Sequence, residues 1–116
     1  MLIPDTTKVH LYCGITDMRK SINTLAILVK DVFGMEITTG DLFLFRSRGG
    51  DKLKALYYEE QSFTLWYRRL EKGKFIFPRN TKGHIELTKE HLTWLMASNK
   101  FTFHQGEKPV IYRDFY

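Results

Sequence analysis

The segment 46–82 combines positively charged side chains with aromatic rings, two residue types that suit a nucleic-acid-binding surface. It contains ten Lys or Arg against four Asp or Glu, whereas the rest of the chain contains eight against nine, so the net charge of +5 originates here. Seven of the seventeen Phe, Trp and Tyr also lie in it. Cations neutralise phosphates and rings stack on bases, which predicts nucleic-acid binding. A half-buried antiparallel sheet with one solvated face has the same alternation and is the structural alternative.

Two adjacent glycines, Gly49 and Gly50, predict a turn that gathers cations at the end of a hairpin. The expected phosphate contacts come from the cations of this turn and of the strands beyond it: Arg46, Arg48, Lys52, Lys54, Arg68, Arg69, Lys72 and Lys74. Trp66 and Tyr58 are the expected base-stacking residues if their side of the sheet is exposed.

The residue types give little support for metal binding, cofactor binding or catalysis. The four histidines lack ligand spacing, and Cys13 is the single cysteine, so we expect neither a metal site nor a disulfide. Cys13 follows a β-prone run and is more typical of a small buried hydrophobe than of a nucleophile. No phosphate-binding glycine motif is present, and the carboxylates are scattered, so we expect no cofactor and no catalytic residues. A metal-independent ribonuclease stays open, because general acid–base cleavage needs no recognisable motif.

The length of 116 residues predicts a single domain over 1–116, and residues 100–116 are compatible with a loosely attached tail. The first ten residues lack a cationic start followed by an apolar run. The longest aliphatic run, 25–29, is too short to cross a bilayer. With one cysteine in the chain, we expect a cytoplasmic protein without membrane contact.

Hydrophobic periodicity predicts the elements that position these residues. A strand over 9–12 precedes a long helix that begins at Thr16–Asp17 and ends at Gly34. Leu53, Ala55 and Tyr57 are expected to face inward with Phe63, Leu65 and Tyr67. Further strands are predicted at 42–45, 53–59, 63–71 and 74–77, followed by a short extended piece at 85–87 and a helix from Thr88 to about Ser98. The predicted class is α+β: a largely antiparallel β-meander of four or more strands, packed by one long N-terminal helix, with a shorter C-terminal helix.

Several short blocks give the chain a resemblance to a known family. The most specific are DMRK at 17–20, FLF at 43–45 before the basic glycine turn, Lys54, and RLEKGKF at 69–75 before Pro78. In this order and spacing they resemble TnpB, the small accessory protein of bacterial insertion sequences of the IS sixty-six class, over roughly residues 9–95.

The resemblance implies a non-catalytic role in transposition beside a separately encoded transposase, and it supplies no catalytic residues. The expected partner is nucleic acid, with DNA favoured over RNA. The alternative is a protein–protein adaptor that docks on the transposase or on itself through the aromatic sheet face or the C-terminal tail.

Overall fold

A five-stranded sheet forms the centre of the molecule in the computed structural model, which describes residues 7–79 and 82–97. Its strands are β1 (Val9–Ile15), β2 (Leu42–Arg46), β3 (Lys52–Glu59), β4 (Ser62–Arg69) and β5 (His84–Leu87), in the spatial order β4-β3-β2-β1-β5. β1 and β2 are parallel, and the other three pairs are antiparallel. The α+β class is therefore confirmed. The sheet is mixed, however, because the chain returns from β1 to β2 through a helical crossover.

The first helix is shorter than predicted. α1 (Ile22–Leu28) begins after Ser21, continues as a π-helical turn over Val29–Phe33, and ends at Gly34, whose φ of 65° is left-handed. The predicted C-terminal stop at Gly34 is confirmed, but the predicted start at Asp17 and the single long helix are wrong.

The side chain of Asp17 explains the later start. Its Oδ1 accepts the backbone N–H of Arg19 at 2.9 Å, and its carbonyl accepts the N–H of Lys20 at 3.1 Å. Such local bonds stabilise a turn that competes with helix. The N–H of Ser21 then donates to Thr24 Oγ1 at 3.0 Å, which satisfies a free donor where the helix begins.

The second helix, α2 (Lys89–Met96), starts where the sequence predicts. Thr88 is its N-cap, and Thr88 Oγ1 accepts the N–H of His91 at 3.0 Å. Leu92 and Leu95 are its buried residues. The predicted end near Ser98 and the predicted tail at 100–116 lie outside the described residues.

Both faces of the sheet are covered by apolar side chains. On the α1 side, Leu25 and Val29 pack against Phe43, Phe45 and Leu56. On the α2 side, the apolar cluster contains residues of β1, β2, β3 and β5, of the segment after β4, and of α2. Its buried members are Val9, Leu11, Leu42, Leu44, Leu53, Ala55, Leu70, Phe75, Leu87, Leu92 and Leu95. β2 is buried on both faces, which explains its continuous apolar run.

The pairing of β3 with β4 differs from the predicted arrangement. A two-residue turn, Glu60–Gln61, pairs Glu59 with Ser62, so Ala55 lies opposite Trp66 and Lys54 lies opposite Tyr67. The predicted strand after this turn began at Phe63, one residue later than β4 begins. A one-residue shift exchanges the faces of a strand, so Phe63, Leu65 and Tyr67 lie on the α1 side rather than beside Leu53, Ala55 and Tyr57.

The chain after β4 does not form the predicted strand at 74–77. The N–H of Leu70 donates to Asp51 O and that of Phe75 to Gly50 O, both at 2.8 Å, so this segment crosses the end of the β2–β3 hairpin instead of extending the sheet. The short piece predicted at 85–87 is β5, paired with β1. No helix within 7–79 and 82–97 is long and apolar enough to cross a membrane.

Candidate nucleic-acid interface

Most of the predicted cations lie at one end of the sheet, where β1 and β2 finish, β3 begins and β4 finishes. Arg48 is exposed in the β2–β3 turn, and Lys52 at the start of β3 lies opposite Arg69 at the end of β4. The side chain of Lys74 covers Gly50 of the turn, since a β-carbon there would lie 3.5 Å from Lys74 Cδ. We call this region the basic end; its cations are Arg46, Arg48, Lys52, Arg68, Arg69, Lys72 and Lys74.

Ser47 and Asp51 hold the β2–β3 turn together. The N–H of Gly50 donates to Ser47 O at 3.2 Å, and Ser47 Oγ donates to Asp51 Oδ1 at 3.3 Å. Lys52 Nζ lies 3.3 Å from the same carboxylate. Burial opposes ionisation of Asp51, but hydrogen bonds from Lys52, its own backbone N–H and Ser47 together lower its pKa. The turn therefore presents its cations on a fixed backbone.

Arg46 and Arg68 point to the α2 side of the basic end. The guanidinium of Arg46 lies over the ring of Phe77, 5.0 Å from its centroid. The exposed side chain of Arg68 reaches Met96 Sδ at 3.7 Å. The cations of the basic end thus lie on both faces of the sheet.

Lys54 does not belong to the exposed surface. Only 8% of it is accessible, and its Nζ donates to Met18 O and Lys20 O at 2.6 Å each. It also lies 5.4 Å from the ring centroid of Tyr67. The expectation that Lys54 lies on the open hairpin surface is therefore wrong, because the loop before α1 covers it.

The two expected stacking residues are poorly placed at this end. Trp66 packs against the apolar cluster on the α2 side, and half-buried Tyr58 makes an edge-to-face contact with Phe63 at 5.1 Å. Tyr58 is also six positions from Lys52 along β3, about 20 Å away. Tyr67, predicted to face inward, is 49% exposed beside the basic end, and Lys54 Nζ lies on one side of its ring.

A cleft of about 490 Å³ opens at the basic end between the β2–β3 turn and the loop before α1. Its walls come from both segments: Ile15, Thr16, Asp17, Met18, Ser47, Arg48, Gly49 and Lys52. The sequence singled out only two of these as binding residues, Arg48 and Lys52. Thr16 and Ser47 were missed because they carry no charge, and only the parallel pairing of β1 with β2 brings them together.

An exposed ion pair between Arg19 and Asp17 lies at the outer wall of this cleft. Arg19 contacts Asp17 through two nitrogens, Nη2 at 2.7 Å and Nε at 3.1 Å. The side-chain hydrogen bond from Arg19 holds the pKa of the Asp17 carboxyl well below its ordinary value, and Asp17 raises the pKa of Arg19 in return. The carboxylate is therefore ionised and already paired at neutral pH.

The remaining chemistry-bearing groups form no second site in the parts of the chain that are described. Cys13 is buried, and burial raises the pKa of its thiol although the charge of Arg46 opposes this. His10 is buried and bonded to Asp41 at 2.8 Å. Within 7–79 and 82–97, no three His, Cys, Asp or Glu side chains come close enough to hold a metal ion.

Comparison with known proteins identifies the family. The model of the IS66 Orf2-like proteins matches residues 7–105, which includes both segments that form the cleft. This chain belongs to the IS66 Orf2-like family. The resemblance to the TnpB accessory proteins of the IS sixty-six class is thereby confirmed.

Two proteins of Sinorhizobium fredii (strain NBRC 101917 / NGR234) are similar to this chain over most of its length. The uncharacterized protein y4hO is 33% identical over 90 residues, 78% of each chain. The uncharacterized protein y4jC is 33% identical over 94 residues, 81% of this chain and 80% of the relative. No solved structure matches the chain significantly. Membership in the IS66 Orf2-like family suggests an accessory role in transposition.

Proposed function

We propose that this protein is a non-catalytic accessory factor in the transposition of an insertion sequence, and that it binds nucleic acid, DNA ahead of RNA, through the basic end. The observation that carries the proposal is the separation of charge along one hairpin. Lys52, Arg68 and Arg69 lie at its open end, and Glu59 and Glu60 lie at its closed turn. A surface that concentrates cations suits a polyanion.

The proposed phosphate contacts are the cations that are exposed or half-exposed: Arg46, Arg48, Lys52, Arg68, Arg69, Lys72 and Lys74. Lys54 is left out because its Nζ is engaged by two carbonyls. Tyr67 takes the stacking role expected of Trp66 and Tyr58. The protein acts beside a separately encoded transposase and needs neither metal nor cofactor.

A salt titration tests this proposal. Affinity is measured for the terminal DNA of the element, for unrelated DNA and for RNA, over a range of salt concentrations. Affinity should fall steeply with salt, and Arg48→Ala and Arg69→Ala should each reduce the log–log slope by about 0.9. Lys30→Ala is the matched control, because Lys30 is exposed on the π-helical turn and only loosely paired with Glu36 at 3.8 Å. Equal losses in all three variants, or affinity independent of salt, would contradict a localised phosphate-binding surface.

The same samples test whether the protein is an enzyme. RNA is incubated with the purified protein in the presence of a chelator and then sized on a gel. We expect intact RNA. Cleavage that copurifies with the protein would support the metal-independent ribonuclease instead.

A second candidate function is a protein–protein adaptor, favoured by an exposed apolar group at one edge of the sheet. In the described part of the chain, β4 is an edge strand and carries Phe63 and Tyr67, which are 44% and 49% exposed. Ile27 on the neighbouring α1 is 62% exposed. Edge strands present backbone groups that pair readily with another strand.

The charge pattern of the β3–β4 hairpin favours a second copy of this chain as the docking partner. If two β4 strands pair in antiparallel fashion about Leu65, Phe63 of each copy lies opposite Tyr67 of the other. Arg69 of one copy then lies opposite Gln61 of the other, next to Glu60 in the same turn, so opposite charges come close at both ends of the contact. This edge is therefore complementary to itself, as a twofold interface requires.

Measuring the molar mass in solution separates the two functions. Self-docking predicts a dimer that persists at high salt and dissociates in Phe63→Ser/Tyr67→Ser, while Ile27→Ser leaves it intact. A monomer at all concentrations would exclude self-docking. In that case, coprecipitation with the purified transposase of the same element tests the other adaptor partner.

A further inference from the structure

The cleft at the basic end contains a buried polar group that the fold itself leaves unbonded. Thr16 lines the cleft and is 3% exposed, yet its Oγ1 has no hydrogen-bond partner among the described residues. Its backbone is fixed, since the N–H of Thr16 donates to Arg46 O at 2.9 Å. The large majority of buried hydroxyls in folded proteins have a partner, so an unbonded one in the wall of a cleft is a candidate contact for a water or a ligand.

The opposite wall of the cleft supplies positive charge. Arg48 is exposed in the β2–β3 turn, and Lys52 follows at the start of β3. The nearest carboxylates do not cancel this charge fully: Asp17 is paired with Arg19, which leaves Asp51 shared between Lys52 and Ser47. Arg48 has no ion-pair partner within 7–79 and 82–97.

A third cation, Lys54, is buried behind the wall formed by the loop before α1. Lys54 Nζ donates to the carbonyls of Met18 and Lys20, the residues that flank Arg19. These bonds hold the loop in place, and the charge of Lys54 adds to the potential in the cleft without occupying it. The cleft thus combines a fixed neutral donor with positive charge on two sides.

We propose that this cleft binds a single phosphate group of a nucleic-acid backbone, with Arg48 and Lys52 as its charge partners and the Thr16 hydroxyl as a hydrogen-bond donor. The inference rests on the proposed function and adds to it a defined seat for one phosphate. Arg suits such a seat because its guanidinium offers two parallel donors to a phosphate. A neutral donor adds a geometric requirement that a charged surface alone does not impose.

The experiment is an NMR titration of the full chain, labelled with ¹⁵N, with inorganic phosphate against chloride at matched ionic strength. Phosphate should shift the amide signals of Thr16, Arg48 and Gly49, and chloride should not. Arg48→Ala should weaken phosphate binding about tenfold, because a hydrogen bond to a charged group is lost. Thr16→Val removes the hydroxyl and keeps the shape, and it should weaken binding several-fold. The matched control is Thr64→Val, a half-buried threonine on β4.

The result that would overturn the inference is phosphate binding unchanged in Thr16→Val together with higher stability of that variant, since a dry unpaired hydroxyl improves the fold when removed. Shifts spread evenly over all exposed cations would also overturn it. The two proposals fail separately. DNA binding that weakens in Arg48→Ala and Arg69→Ala but loses none of its affinity in Thr16→Val rejects the phosphate seat and keeps the basic end. Phosphate binding without DNA binding keeps the seat and rejects the proposed function.

Discussion

Lys54 places its charge inside the molecule rather than on the surface. Its stem lies on the α1 side of β3, and its Nζ reaches two carbonyls of the loop before α1. The described residues place no carboxylate within ion-pair distance of it. Met18 and Lys20 lie in the turn before α1, so their carbonyls are outside the helix. The Lys54 ammonium supplies the hydrogen-bond donor for both.

Replacing Lys54 should destabilise the protein. Lys54→Met keeps the length of the stem but leaves the carbonyls of Met18 and Lys20 without a donor, which should lower the free energy of unfolding by about 1–3 kcal/mol. Lys52→Met, on the same strand and face but half-exposed, should change it by no more than about 0.5 kcal/mol. Urea unfolding monitored by fluorescence measures both. Equal effects of the two variants would mean that the carbonyl contacts contribute nothing.

Asp17 and Arg19 give the loop before α1 a pH dependence. The pKa of Asp17 is lowered in the folded state, so the pair contributes stability above the ordinary value of 3.8 and loses it as pH falls through the lower folded-state pKa. An NMR titration of the Asp17 carboxyl should therefore show a midpoint well below 3.8. In Arg19→Gln, which removes the charge and the bidentate contact, the midpoint should return towards the ordinary value. A midpoint unchanged by this substitution would assign the shift to another cause.

At the scale of elements, the β3–β4 hairpin depends on an unusual turn. Both of its residues have positive φ, 51° for Glu60 and 62° for Gln61, although neither is glycine. Two-residue hairpin turns of this shape favour Asn followed by Gly, because other side chains collide with the backbone there. The pairing of all eight residues of β3 with β4 holds the turn in this conformation.

Optimising this turn should stabilise the hairpin. Glu60→Asn combined with Gln61→Gly relieves the strain at two positions and should raise the free energy of unfolding by about 1 kcal/mol. Thermal unfolding followed by circular dichroism measures the change. Gly34→Ala is the opposite case, since it places a side chain at a φ of 65°, and it should lower stability by a similar amount. A destabilised Asn-Gly variant would imply that Glu60 or Gln61 makes a contact that outweighs the strain.

Features that depend on neighbouring residues were predicted well from the sequence. Features that depend on competing side-chain bonds or on strand register were not. Thr88 with its cap, the apolar run of β2 and the stop at Gly34 were legible because each depends on a few neighbouring residues. The start of α1 was not, since it depends on side-chain bonds of Asp17 that compete with the helix. The faces of β4 were misassigned because they depend on whether the turn ends at Gln61 or one residue later.

The candidate site was predicted in the same uneven way. Arg48 and Lys52 stood out because cations flank two glycines, and the structure brings them to one cleft. Thr16 had no such signal, since its proximity to the turn depends on β1 lying parallel to β2. Lys54 matched the charge pattern yet became buried, because alternation along a strand does not tell which face the loop covers.

At the scale of the whole molecule, one sheet separates two apolar clusters. Leu25 of α1 and Leu95 of α2 are nearly inaccessible and lie on opposite faces. Neighbouring side chains of β2, such as Phe43 and Leu44, point into different clusters. Because both clusters use the same strands, we expect them to unfold together.

This cooperativity is testable with one substitution on each face. Leu25→Ala and Leu95→Ala should each lower the free energy of unfolding by about 2–5 kcal/mol, and each should shift the transition reported by the fluorescence of Trp66, which packs on the α2 side, and of Trp94 on α2. Ile27→Ala on α1 is the surface control and should change stability by about 0.5 kcal/mol or less. If Leu25→Ala left the tryptophan fluorescence transition in place, the two faces would unfold independently.

The strand order has a further consequence for biosynthesis. β1 pairs on one side with β2 and on the other with β5, and Val9 meets Leu87 across nearly the whole described chain. A nascent polypeptide therefore emerges from the ribosome with its first strand open on one edge until His84–Leu87 has been synthesised. During translation, that exposed edge is open to pairing with other growing chains until β5 closes it.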